Sequence, residues 1–184
     1  MDYSRDHPAN GSIKKSVTMT FRIDESVMNK LRNESEQQEV SLNTLVNQIL
    51  KRYVEWGLYE HKVGMIPLAK PIVVEMFQKM NEDEIVDIAR RIGKNAVKDI
   101  ALFMKGKIDV NSFLSWFESR MRTSSVELNH MIENDSHTYI MKHDLGEKWS
   151  FYHKNLLELI FNEILGKTID INISNTTVMF TFKE

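Results

Sequence analysis

The sequence has 184 residues, of which 42% are hydrophobic and 27% are charged, and its formal net charge is −2. This balance is typical of globular domains and excludes a chain that is disordered throughout. A net charge close to zero also argues against a protein that coats DNA nonspecifically by charge alone. Because the sequence contains no cysteine, disulfides, thiolate zinc sites and cysteine nucleophiles are excluded.

Residues 1–13 are polar and include Pro8 and Gly11, which predicts a flexible N-terminal arm. The arm lacks the pattern of a charged segment followed by an apolar one that marks a secretory signal. No apolar run in the sequence reaches the roughly 18 residues that a membrane-spanning helix needs. We therefore expect a cytoplasmic protein with no membrane partner.

The segment from Ser16 to Ile23 alternates strictly between apolar and polar side chains. This period of two predicts a half-buried β-strand. The apolar face consists of Val17, Met19, Phe21 and Ile23. The polar face consists of Thr18, Thr20 and Arg22, and it is preceded by Lys14 and Lys15. No acidic residue lies in this region, so we expect a focused basic surface around the strand.

Two helical patterns follow the strand. Asp24 is a typical N-cap residue for the first helix, and the loop from Gln37 to Val40 ends that helix. Ser41 caps the second helix, which we expect to end at Gly57. The apolar sides follow helical spacing and consist of Val27, Met28 and Leu31 in the first helix and of Leu42, Leu45, Val46, Ile49, Leu50, Tyr53 and Val54 in the second.

One strand and two short helices cannot bury much apolar surface alone, and a lone strand has two unpaired edges. Two copies of the segment solve both problems if their strands pair antiparallel. The apolar strand faces then merge over a shared core of four helices, and the polar faces form one ribbon. The sequence therefore predicts an intertwined homodimer.

Residues 14–57 resemble the ribbon-helix-helix family of dimeric repressors, in which such a two-stranded ribbon enters the DNA major groove. The family often has a glycine between the helices where this sequence has Glu39, so a non-glycine residue must adopt a strained turn. The alternative is an ordinary dimerisation module that does not read DNA. The resemblance implies base contacts at Thr18, Thr20 and Arg22, a phosphate contact at Ser41, Leu42 and Asn43, and DNA-backbone contacts at Lys14 and Lys15.

Residues 59–70 contain a glycine and a proline and show no sustained period, which predicts a linker. Helices are then predicted to begin at Pro71, Asn81 and Asp109. The helix that begins at Asn81 is expected to end at Gly106. Its apolar stripe contains small residues that allow another helix to approach closely, namely Ala89, Gly93 and Ala96.

The remainder of the sequence predicts two antiparallel hairpins with a helix between them. In the first hairpin, alternating runs flank a turn at residues 134–135, and Glu127 faces Lys142 as an opposite-charge pair. The helix between the hairpins is expected to end at Gly166. In the second hairpin, the facing pairs are Ile169 with Phe182, Ile171 with Phe180, and Ile173 with Val178.

Residues 85–182 resemble the small-molecule-binding domains related to 4-vinyl reductase, which serve as sensory modules in archaeal and bacterial regulators. The resemblance depends on the order helix, hairpin, helix, hairpin and on the GKTIDI step into the last hairpin. It implies a ligand-sensing domain. The cysteines often found in that family are absent here, so no cysteine-dependent metal or redox role follows.

The predicted register places three histidines on the apolar face of the first hairpin and a fourth on the apolar stripe of the next helix. Imidazoles in apolar surroundings need hydrogen-bond partners. One interpretation is a polar spot in an apolar pocket that binds an organic ligand or a metal effector. The other is that the histidines bond internally or face water, so that the domain is structural or dimerising. The candidate ligand-binding residues are His130, His137, Tyr139, His143 and His153.

Together these patterns predict an α+β protein. The expected parts are an arm at residues 1–13, a ribbon-helix-helix domain at 14–58, a linker at 59–70, and an α+β domain of helices and antiparallel hairpins at 71–184. The predicted function is a cytoplasmic, nucleoid-associated transcriptional regulator that binds double-stranded DNA as a homodimer or tetramer. An antitoxin-like DNA-binding protein and a nonspecific nucleoid protein are the alternatives. The sequence lacks a glycine-rich phosphate loop and paired catalytic carboxylates, so we expect no enzyme activity. We also expect no resident cofactor or metal, with a metal or small-molecule effector as the open alternative.

Overall fold

The computed structural model describes residues 16–124 and 126–183. The predicted arm at residues 1–13 and the predicted contacts of Lys14 and Lys15 lie outside the described residues. The chain divides into two compact units, with the boundary between Gln48 and Ile49. In the described part of the chain, no helix is both long and apolar enough to cross a bilayer.

The first unit contains an extended segment and two helices. Residues 16–24 have no regular secondary structure in the single chain. Helix α1 spans Glu25–Gln37, and the Asp24 carboxylate accepts a hydrogen bond of 2.9 Å from the backbone N–H of Ser26, which confirms the predicted N-cap. Glu39, in the turn after α1, has a φ of +53°, so a non-glycine residue does adopt the left-handed conformation there.

Helix α2 spans Leu42–Arg52 and continues as a π-helical turn, Tyr53–Gly57, and a short α3, Leu58–Glu60. The expected helix end at Gly57 is therefore wrong. Gly57 has a helical φ of −55°, and a glycine ends a helix through a left-handed conformation, which here occurs at Gly64 with a φ of +69°. The predicted linker thus begins as helix.

The second unit begins its main helical layer at α4, which spans Lys70–Lys79 and has a proline in its first turn. Helix α5, Glu82–Arg91, starts with a complete capping box and runs through a π-helical turn, Ile92–Val97, into α6, Lys98–Lys105. The left-handed Gly106, with a φ of +75°, ends α6 as predicted. Helix α7 spans Val110–Thr123 and is capped by the Asp109 side chain.

The two predicted hairpins are confirmed and join into one antiparallel sheet. Strands β1 and β2 pair with Glu127 opposite Lys142, and β3 and β4 pair with Ile169 opposite Phe182, both as predicted. The sheet order is β1-β2-β4-β3, so β2 and β4 connect the hairpins. The strands are β1 Glu127–Glu133, β2 Ser136–Lys142, β3 Ile169–Ile173 and β4 Thr177–Lys183.

Helix α8, Glu147–Leu159, connects the hairpins and continues as a π-helical turn, Ile160–Leu165, which ends at the left-handed Gly166. Helices α7 and α8 contact the sheet. The core between them is rich in aromatic rings, with Phe180 stacked on Tyr139 at 5.0 Å and edge-on to Phe117 at 5.7 Å. Apolar residues at alternate strand positions supply the sheet's share of this core, as the period of two predicts.

The small residue at Gly93 lets the helical run from α5 to α6 approach α8. A Cβ atom at Gly93 would lie 2.9 Å from Leu156 Cδ1 and 3.0 Å from Leu159 Cδ2. Both distances are shorter than normal van der Waals contact, so a larger side chain would have to displace both leucines. Close helix packing at this glycine confirms the expectation from the small-residue stripe.

We predict that Gly93→Leu destabilises the protein by about 1–3 kcal/mol, because overpacking forces neighbouring side chains out of their preferred rotamers. Chemical denaturation monitored by circular dichroism measures the change. Asn95→Leu, at an exposed position of the same π-helical turn, is the matched control and should change stability by less than about 0.5 kcal/mol. Equal stabilities of the two variants would show that the close approach is not a constraint.

Candidate functional site

The residues predicted to contact base edges lie on the extended segment of the first unit. Thr18, Thr20 and Arg22 are all exposed. The alternate apolar residues are exposed as well, with Val17 at 85% and Phe21 at 57% of their full accessible surface. Exposed apolar side chains at consecutive alternate positions form a continuous apolar face on this segment. The single chain therefore leaves both faces of this segment available.

The start of α2 has the features of a phosphate-binding helix terminus. The Ser41 hydroxyl accepts a hydrogen bond of 3.1 Å from the backbone N–H of Thr44, which confirms Ser41 as the cap. The first turn of α2 contains no acidic residue, whereas α1 has Glu25 in its first turn. Leu42 and Asn43 supply first-turn N–H groups that have no intrahelical acceptor. This end of α2 carries the partial positive charge of a helix N-terminus, and its first turn has no carboxylate.

Of the predicted ligand-binding residues, His130 and His137 lie together near the turn of the first hairpin. His130 Nε2 and His137 Nδ1 are 3.1 Å apart, a hydrogen-bonding distance. The His130 ring stacks on Tyr139 at 4.0 Å, and the Tyr139 hydroxyl donates to Glu118 Oε1 at 3.0 Å. Desolvation and, secondarily, the neighbouring His137 lower the pKa of His130. These side chains form an aromatic layer that is bonded internally.

His143 lies at the other end of β2 and belongs to a buried hydrogen-bond chain. The backbone N–H of Leu145 donates to His143 Nδ1 at 3.2 Å, so the ring proton is on Nε2. Nε2 then donates to Ser150 Oγ at 2.8 Å, and Ser150 donates to the carbonyl oxygen of Ser174 at 2.7 Å. Burial lowers the pKa of His143, which favours this neutral form.

His153 is buried on α8, where its Nδ1–H donates to the carbonyl oxygen of Trp149 at 3.1 Å. The two rings are in close contact, with centroids 3.6 Å apart. Burial lowers the pKa of His153 to about 3, so the imidazole is neutral at physiological pH. A neutral, internally bonded imidazole contributes to the core of the unit.

The structure thus divides the candidate ligand-binding residues into two groups. His143 directly follows β2 and is six positions after His137, which corresponds to about 20 Å at the rise of an extended strand. Within residues 16–124 and 126–183, no group of three or more His, Asp or Glu side chains could hold a metal ion. Glu118 and Ser150, which partner these residues, were not singled out from the sequence, because nothing local to them indicates their distant partners.

No protein-family model matches the chain, and no curated protein shows significant similarity to it.

We predict that His153 makes the protein sensitive to acid. Its pKa is about 3 in the folded state and near 6.5 in an unfolded chain. Between these values the unfolded state binds a proton that the folded state does not, so stability falls as the pH falls. The expected loss from this group between pH 7 and pH 5 is about 2 kcal/mol.

Urea denaturation of the wild type and of His153→Gln at both pH values tests this prediction. The glutamine retains an N–H donor for the Trp149 carbonyl but does not titrate. The variant should lose about 2 kcal/mol less than the wild type over this range. His61→Gln, at an exposed position, should follow the wild type. A pH dependence that is the same with and without His153 would contradict the assignment.

Proposed function

We propose that the protein is a sequence-specific, DNA-binding transcriptional regulator that acts as a homodimer through a ribbon-helix-helix reader in its first unit. The observation that carries the proposal is that this unit buries almost none of its side chains in the single chain. Among its described residues, 16–48, only Ser35 and Leu45 are buried. A chain segment with two helices and so little core requires a partner surface.

A second copy of the chain is the partner that fits. Antiparallel pairing of two segments 16–23 would satisfy their free backbone N–H and C=O groups. The same pairing would bury the four exposed apolar residues of each segment, from Val17 to Ile23, against the helices of both chains. Helices α1 and α2, with the left-handed turn at Glu39 between them, provide the remainder of the motif.

The polar face of the paired segments supplies the chemistry for reading DNA. Arg22 can form a bidentate contact with guanine, and the hydroxyls of Thr18 and Thr20 can serve either donors or acceptors on base edges. The uncompensated N-terminus of α2 after Ser41 suits a backbone phosphate. These contacts would give one half-site per strand, and the dimer would read a symmetric or repeated operator.

In this proposal, the second unit either assembles the DNA-binding first units into the oligomer or regulates their binding to DNA. It has an extensive core that includes Phe113, Phe161 and Phe180. That core favours a regulator over the antitoxin-like alternative, whose tail would be short and disordered before it binds its partner. In a regulator, the second units of the dimer would set the distance and orientation between the two DNA-binding first units. A ligand would change DNA binding only by binding one such arrangement more tightly than another.

We predict that the full-length protein selects a short palindromic or repeated motif from a random DNA pool at physiological salt. Arg22→Ala should weaken binding to the selected sequence by at least about tenfold, because a bidentate base contact contributes about 1–3 kcal/mol. Arg32→Ala, on the exposed surface of α1, removes the same charge and should bind nearly as the wild type. Binding without an enriched motif that vanishes as salt rises would instead indicate a nonspecific nucleoid protein.

We predict that Phe21→Asp converts the dimer to a monomer or unfolds the first unit, because it places an unpaired charge in the proposed shared core. Light scattering after size-exclusion chromatography measures the mass. Thr20→Asp introduces the same charge on the opposite face, so it should keep the dimer and weaken DNA binding. A Phe21→Asp protein that remains an intact dimer would overturn the assignment of the apolar face.

A further inference from the structure

The helical run from α5 to α6 carries a local excess of positive charge. Between Ile88 and Ile108 the chain has six basic residues and one acidic residue, Asp99, although its net charge over all 184 residues is −2. Positive charge is therefore concentrated on one segment of the second unit. The basic residues are Arg90, Arg91, Lys94, Lys98, Lys105 and Lys107, of which the first four are exposed.

Helix-end electrostatics does not explain these charges. Basic residues are favourable in the last turn of a helix, where they interact with its partial negative charge. Arg90 and Arg91 end α5, but the backbone continues as helix through the π-helical turn Ile92–Val97 and α6. The run ends only at Gly106. Arg90, Arg91 and Lys94 therefore lie in the interior of the helical run, far from its negative end.

Three of the exposed cations form a row along one side of the run. Arg90, Lys94 and Lys98 follow one another at intervals of four residues, and residues four apart are neighbours on a helix surface. Each such step in an α-helix also rotates by about 40°, because one turn has 3.6 residues. The π-helical turn Ile92–Val97 has more residues per turn and counteracts this rotation. The row is therefore nearly parallel to the helix axis, and it is about 12 Å long.

The ion pairs of the run do not neutralise the row. Lys94 lies 3.1 Å from Glu163, and Arg91 lies 2.9 Å from Asp87. All four side chains are more than half exposed. Exposed ion pairs of this kind are weak and are screened by salt. A polyanion that presents several charges at once can therefore displace these carboxylates from the cations.

We propose that the row formed by Arg90, Lys94 and Lys98 contacts the phosphate backbone of double-stranded DNA, outside the bases that the first unit reads. The proposal depends on the proposed binding to DNA, which supplies a polyanionic partner. Over a length of about 12 Å, one DNA strand carries three to four phosphates. A straight row of three cations matches this strand in both charge and length. Such contacts position a protein on the duplex and carry no sequence information, so the second unit adds affinity that depends on salt and not on sequence.

Binding of the full-length protein to a random-sequence duplex, measured by fluorescence anisotropy over a series of salt concentrations, tests the row. The double variant Arg90→Gln, Lys98→Gln should reduce the slope of log affinity against log salt concentration by about two for each chain that contacts the duplex. Both side chains are exposed, so the variant should fold as the wild type does. The control Lys142→Gln, Lys183→Gln removes two exposed charges from the sheet and should keep the wild-type slope.

Random DNA separates the row from the reader of the first unit, which is tested by motif selection and by Arg22→Ala. If a motif is selected but the Arg90, Lys98 variant keeps the wild-type slope, the row is overturned and the reader stands. If the slope falls but no motif is selected, the row stands and sequence-specific reading is overturned. A wild type that does not bind random DNA at low salt overturns the row. So does a variant that binds this DNA normally but no longer binds phosphatidylserine vesicles, because the row would then contact a membrane surface.

Discussion

The second unit depends on the aromatic contacts that Phe180 makes on the inner face of the sheet. Phe180 stacks on Tyr139 at 5.0 Å, meets Phe117 edge-on at 5.7 Å and packs against Phe161 at 5.9 Å. These contacts join β2, β4, α7 and the helical run of α8. Aromatic rings bury large apolar areas, and the contact between Phe117 and Phe180 holds that side of α7 toward the sheet. The hydrogen bond between Tyr139 and Glu118 follows from that placement.

The two units differ in the physical reason for their stability. The second has an apolar core that unites helices and sheet, whereas the described residues of the first, 16–48, bury almost nothing in the single chain. Exposed side chains such as Val17 and Phe21 are costly in water unless another surface covers them. This contrast connects the proposed function to oligomerisation, because a reader built from paired segments exists only in the dimer.

Buried polar groups in the second unit are mostly arranged in complete chains. His143, Ser150 and the Ser174 carbonyl form one such chain, in which each proton has one donor and one acceptor. His153 is satisfied by a backbone carbonyl within its own helix.

The local structure of the second unit follows largely from its sequence. Alternation together with the pair Glu127 and Lys142 defined the hairpin register, and side-chain caps and glycines defined most helix ends, because these features act over a few residues. The end predicted at Gly57 failed, since packing continues the helix and a glycine can adopt helical angles. Contacts between distant parts of the chain place β2 beside β4, divide the histidines into two groups and bring Arg120 over the Trp56 ring. Those arrangements join residues far apart in the chain, and no local pattern encodes which distant surfaces meet.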